Sequence, residues 1–205
     1  MAGTRDCVWW RPGWNVGHGL ARRFGYRGAD LDPDYLLARA RKETALDDFG
    51  DEEFLEPMRL LLREFEANAN ADLTGRQVFA QMTFASLKNR LLIGQALRDR
   101  PQIAEQAITA PLFILGLPRT GSTLLQSLLA SLGHLRTPLR WETELAAAPP
   151  AMAKERDVKA QIRFAKVQSD FANALSPGIA RAHAVGAELP EECNPLLMSS
   201  FRALL

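Results

Sequence analysis

Cysteine is scarce in this chain: only Cys7 and Cys193 occur among 205 residues. Two thiols so far apart form neither a disulfide framework nor a metal-binding spacing, and they read as free thiols in a reducing compartment. An excess of charge of one sign is missing too. Lys plus Arg total 25 against 24 for Asp plus Glu, a net charge of +1, which removes the electrostatic case for nucleic acid or an anionic membrane as partner. No apolar run approaches the roughly 18 residues that a membrane span needs. The first eleven residues contain an Asp and only Cys7-Val8-Trp9-Trp10 as an apolar patch, which is not the pattern of a signal peptide. The expectation is a cytoplasmic protein with one domain or one and a half and ample chain for a core. There is no internal repeat and no low-complexity tract.

Three regions divide what is present. Residues 1–30 are rich in Gly, Arg and Trp without periodicity and read as a loosely ordered arm, with Trp9, Trp10 and Trp14 as packing residues. Residues 31–108 read as a helical N-terminal region. Asp32-Pro33 pairs an N-cap acid with Pro at the first helical position, and Leu36, Leu37 and Ala40 form the buried face behind it. A turn ends at Gly50; Phe54, Leu55, Met58, Leu61, Leu62 and Phe65 then keep helical spacing, with Pro57 tolerable only in a first turn. Thr74 with Gln77 resembles a capping box, opening a long helix that must stop before Pro101. Asn89-Arg90 inside it reads as a solvated or salt-bridging pair.

Residues 109–205 carry the chemistry. Leu112-Phe113-Ile114-Leu115 is apolar without alternation, as in a strand buried on both faces. Gly116-Leu117-Pro118-Arg119-Thr120-Gly121 follows as a loop, and Ser122-Thr123 opens a helix on which Leu124, Leu125, Leu128 and Leu129 recur. Strand, glycine-bounded loop and helix N-terminus together make an anion cradle, because backbone N–H groups and the positive end of the helix dipole converge on the loop. The two glycines have the spacing of a Walker A loop, but Ser122 stands where that loop has its lysine, and no Asp or Glu lies in the loop to help hold magnesium. The cation is Arg119, inside the loop. Such a loop suits an anion handled without metal, and a P-loop kinase is correspondingly disfavoured.

Leu117-Pro118-Arg119-Thr120-Gly121-Ser122-Thr123-Leu124-Leu125 resembles the 5′-phosphosulfate-binding loop of the bacterial sulfotransferases that use 3′-phosphoadenosine 5′-phosphosulfate (PAPS). Leu46-Asp47-Asp48-Phe49-Gly50, Pro138-Leu139-Arg140-Trp141-Glu142 and Glu188-Leu189-Pro190-Glu191-Glu192-Cys193 are similar to stretches of the same branch, in the same order. The resemblance implies an α/β fold with a P-loop-like sulfotransferase core, here mostly α and with an incomplete sheet. It implies PAPS as co-substrate, bound by Pro118, Arg119, Thr120, Gly121, Ser122 and Thr123, and a hydroxyl on a small molecule, lipid or glycan as acceptor. No metal is expected.

Sulfuryl transfer demands in-line positioning and stabilisation of charge on the leaving phosphate oxygen. Arg119, with its fixed fork of donors, is the candidate for that charge. A base must take the acceptor proton. Glu142 is favoured, because the related tyrosylprotein sulfotransferases resemble this chain in placing a catalytic glutamate there; His183 is the other candidate. Glu191 and Glu192 read as first-turn acids of a last helix. The resembled enzymes continue for a comparable length, and that part supplies the Arg and Ser that hold the 3′-phosphate. The expectation is therefore a C-terminally truncated member with half a nucleotide site and little activity alone. The alternative is a non-catalytic nucleotide-binding remnant.

Overall fold

The structure, a computed structural model, describes Arg23 and residues 28–117, 120–143, 155–175 and 186–202. Most of the arm, Pro118, Arg119 and His183 lie outside the described residues. The chain forms two compact units, one of residues 1–94 with 197–205 and one of residues 95–196.

In the first unit, helix α1 (Pro33–Thr44) starts where Asp32-Pro33 predicts it. The Tyr35 N–H donates to Asp32 Oδ1 at 2.8 Å, which satisfies one of the donors that a helix N-terminus leaves open. Ala45 ends the helix in the left-handed conformation. Helix α2 (Leu55–Asn68) holds Pro57 within its first turn, where a missing N–H costs least. Helix α3 (Leu73–Asp99) ends ahead of Pro101 as expected.

The start of α3 differs from the capping box read at Thr74. The cap is Asp72, whose Oδ1 accepts the Gly75 N–H at 2.7 Å, while its carbonyl accepts the Arg76 N–H. A carboxylate makes the stronger, charge-assisted bond, so the acid one residue before the helix takes the position. Leu36, Met58, Leu87 and Leu91 are fully buried, each removal from water contributing about 1.5–3 kcal/mol. Phe65 and Phe79 stack with ring centroids 3.7 Å apart, and Phe54 packs between Phe49 and Phe201. Arg90 forms a salt bridge to an acid of the loop before α2 rather than to another helix: its Nη2 lies 2.7 Å from Asp51 Oδ2, and its guanidinium covers the Phe54 ring.

In the second unit the described helices are α4 (Ser122–Ala130), the single turn α5 (Arg140–Thr143) and α6 (Glu155–Leu175). Residues 112–115 are the main departure from expectation. They form no strand and are not buried: Leu112, Phe113 and Leu115 are 62%, 75% and 89% exposed. Among the described residues the only bridge is an isolated antiparallel one, Leu139 to Pro190, so no extended neighbour supplies a ladder for this segment. Leu124, Leu125 and Leu128 on α4 are exposed as well.

Helical spacing in the sequence predicts a helix from about Lys154 to Leu175 with Val158, Ile162, Ala165 and Val167 or Phe171 inward; helix α6 covers that span and turns the first three inward. Ala165 and Ser169 are buried, and Val158 and Ile162 pack beside Trp141 and Ala187, whereas Val167 and Phe171 face solvent. Positions 158, 162, 165 and 169 follow one helical stripe, and 167 and 171 fall off it. Ser169 tolerates burial because its hydroxyl donates to the Ala165 carbonyl at 2.8 Å.

The last helix is also later and shorter than expected: α7 (Asn194–Leu197) leads into a 3-10 turn (Met198–Ser200), and Phe201 closes it in the left-handed conformation. Glu191 and Glu192 thus precede the helix rather than form its first turn. Among the described residues no helix is long and apolar enough to cross a membrane.

Candidate functional site

The loop that carries the sequence motif closes on Gly121, which sits at φ +92° as the N-cap residue of α4. That left-handed backbone favours glycine, and among the described residues a Cβ there would meet nothing within 4 Å. The Leu125 N–H returns to the Gly121 carbonyl at 3.0 Å, closing the first helical bond. The N–H groups of the turn before it have no acceptor inside a helix, by the geometry of any helix start. Thr120 stabilises the approach, its hydroxyl donating to the Leu117 carbonyl at 2.7 Å. Ser122 and Thr123 then stand in the first turn at the positive end of the dipole. Pro118 and Arg119 belong to this loop in sequence and lie outside the described residues.

Two further motif stretches are brought to the same unit and to each other. Backbone bonds tie residues 138–141 to residues 187–191: Arg140 N–H to Leu189 O, Trp141 N–H to Ala187 O, and Glu191 N–H to Pro138 O, at 2.9–3.0 Å. Arg140 Nη1 donates to Glu191 Oε2 at 2.8 Å, with the two side chains only 15% and 10% exposed. Trp141 is buried against Ala165 and Ala187, a core role rather than a pocket wall.

Gln126 joins this pair of segments to the loop helix. One turn beyond Thr123, its Nε2 donates to Glu191 O at 2.9 Å and to Thr137 Oγ1 at 2.8 Å. Glu192 completes the connection, because its Oε1 accepts from the Thr123 hydroxyl at 3.3 Å. Glu192's own N–H donates back to Glu191 Oε1 at 3.0 Å.

Glu142 is partly buried and both of its oxygens are engaged. Oε1 accepts from Arg136 Nη2 at 2.6 Å, and Oε2 accepts the Leu139 N–H at 2.9 Å. The second contact is half of a capping box, a glutamate at the third helical position reaching back to the residue before the helix. Each oxygen still has a second lone-pair site, so the carboxylate is fixed in place without being used up.

Of the residues singled out in the sequence, Thr120, Gly121, Ser122, Thr123 and Glu142 fall in one unit, Pro118, Arg119 and His183 lie outside the described residues, and Gln126, Arg136, Arg140, Glu191 and Glu192 are the residues that hold the stretches together. Gln126 had no sequence signal, because it falls off the stripe formed by Leu124, Leu125, Leu128 and Leu129, where a polar residue is expected on any amphipathic helix. The Arg140–Glu191 contact had none either, since 51 residues separate the partners.

Residues 111–205 match the family model described as "Sulfotransferase family". Among solved structures, sulfotransferase STF1 from Mycobacterium tuberculosis H37Rv is similar at 28% identity and a TM-score of 0.67, over 83% of this chain and 47% of that one. Sulfotransferase STF9 from Mycobacterium avium is similar in fold, at 22% identity and a TM-score of 0.62, over 85% of this chain and 46% of that one. The chain thus spans about half the length of the solved structures it matches. A search of curated proteins gives no match.

Proposed function

We propose that this chain, whose residues 111–205 match the sulfotransferase family model, moves a sulfuryl group from PAPS to a hydroxyl on a small-molecule, lipid or glycan acceptor. The observation that carries this reading is the loop itself. A glycine at φ +92° opens a nine-residue helix, and two hydroxyl residues stand in its first turn. Those features fit a phosphate: backbone N–H groups, two hydroxyl donors and a helix dipole on one anion. The phosphosulfate end of the donor is the part these residues would hold.

Three roles follow from the chemistry. Arg119 would meet the charge that grows on the bridging oxygen as the sulfur–oxygen bond breaks, a contribution realised in the transition state. Glu142 would take the acceptor proton, oriented for that purpose by Arg136 and the Leu139 N–H. His183 is the other proton acceptor that the sequence offers. Gln126 and Arg140 touch neither substrate in this scheme. They position the residues that do.

A binding titration separates this reading from that of a metal-dependent nucleotide enzyme. Adenosine 3′,5′-bisphosphate, the desulfated product, should bind without added magnesium and displace ATP. Binding of ATP alone, and only with magnesium, would overturn the assignment.

A further inference from the structure

Resting on that reading of the loop, a carboxylate in contact with it needs a role. The Thr123 hydroxyl points at Glu192 Oε1, 3.3 Å away, rather than at a neutral acceptor. An anion taking that hydroxyl has to share the space with a negative charge. The contact is also held in place. Glu191 N–H is bound to Pro138 O, Glu191 O to Gln126 Nε2, and the Glu191 carboxylate to both Arg140 and the Glu192 N–H. The backbone at Glu192 is thereby pinned to the start of α4, while its side chain is exposed and can swing. Glu192 can release the hydroxyl by changing rotamer, but its charge stays within a few ångströms of the bound anion.

We propose that Glu192 makes the loop discriminate between the donor and the spent nucleotide. In the donor the 5′-phosphate carries one negative charge, and the second charge of the phosphosulfate lies on the sulfate, beyond the bridging oxygen. During transfer the acceptor oxygen bonds to sulfur, the sulfur–bridging oxygen bond breaks, and its electron pair stays on the phosphate. The acceptor proton leaves to the base. The 5′-phosphate becomes a monoester whose charge at neutral pH approaches two. A carboxylate tethered beside it repels the second form more than the first. One added charge at about 4 Å changes affinity by about fivefold in water and by more where water is partly excluded. Glu192 thus weakens product binding at the moment the bond breaks, and it acts on specificity rather than on the reacting atoms.

The test compares the wild-type chain with Glu192→Gln, which keeps the shape and the hydrogen-bond acceptor while removing the charge. Dissociation constants for PAPS and for adenosine 3′,5′-bisphosphate are measured by calorimetry at pH 8 and low salt, without acceptor. The variant should bind both ligands more tightly, PAPS by about fivefold and the bisphosphate by about a further fivefold, so that the ratio of the two constants shifts about fivefold. The difference should shrink as salt is added. A variant that merely damaged the fold would weaken both ligands and show no such salt dependence. Equal tightening of both ligands, or none, overturns the proposal. Wild-type binding that is lost in Thr123→Val supports the loop reading whatever Glu192 does. If neither the wild type nor Glu192→Gln binds either nucleotide, the loop reading fails and this inference with it.

Discussion

Replacing Glu191 by Gln should loosen the joint between the two motif stretches, and the structure sets the size of the effect. The carboxylate lies 2.8 Å from Arg140 Nη1, and the two side chains are 10% and 15% exposed. Charges about 4 Å apart attract by about 4 kcal/mol at the effective dielectric of a protein surface. Glutamine keeps an acceptor of the same length, worth about 1 kcal/mol, and leaves the guanidinium short of its counter-charge. Breaking buried pairs costs about 3–5 kcal/mol, and the residual solvent contact here lowers that figure. A cost of about 2–3 kcal/mol is the expectation. It should appear locally, as hydrogen exchange of the Arg140, Trp141 and Glu191 amides, which are the donors of the backbone bonds joining the segments.

At 1.4 kcal/mol per factor of ten, exchange there should accelerate about 30- to 100-fold. The Met58 amide, bonded to the Phe54 carbonyl in the other unit, serves as the internal control. The double variant Arg140→Met with Glu191→Met should recover most of the loss, because two apolar side chains can replace a buried ion pair at little cost. Acceleration below about threefold in Glu191→Gln would show that the pair contributes nothing net. The reasoning that ranks it above the exposed ion pairs would then be wrong.

Further outcomes are expected. In an active preparation, Arg119→Lys should lower kcat by more than it raises KM, since a point charge loses the fork that meets the transition state; a change in KM alone would make Arg119 a binding residue. Glu142→Gln can still accept the Leu139 N–H but cannot take a proton, so turnover should fall about 100-fold with the fold intact by circular dichroism. If His183→Asn does this and Glu142→Gln does not, the base is His183. In the first unit, Met58→Ala empties a fully buried site and should cost about 2–5 kcal/mol in urea unfolding; a cost below about 1 kcal/mol would mean that the core collapses around the gap.

Local signals were legible in the sequence wherever one residue decides one bond. Asp32-Pro33 fixed the start of α1, Pro101 limited α3, and Gly121 with Ser122-Thr123 marked the start of α4. Hydrophobicity misled where burial depends on what lies opposite. Val167 and Phe171 are more apolar than Ser169, yet Ser169 lies on the stripe that faces Trp141 and Ala187 and satisfies its own hydroxyl. The apolar residues 112–115 read as a buried strand because composition records a preference for burial. Burial itself requires neighbouring strands, and among the described residues there are none beside them.

The candidate site shows a different limit. Each of its stretches could be recognised as a motif, but the bonds that assemble them are largely main-chain ones: Arg140 to Leu189, Trp141 to Ala187, Glu191 to Pro138. Any residue except proline can donate such a bond, so their partners leave no trace in side-chain identity. What the side chains do specify is direction. Gln126 is long enough to reach Glu191 O and Thr137 from the loop helix, and Arg140 carries a charge that burial tolerates only opposite another. Glu192 is the consequence of both. Main-chain pairing brings it to the loop helix, where its carboxylate accepts from the Thr123 hydroxyl and the proposed choice between anions would be made.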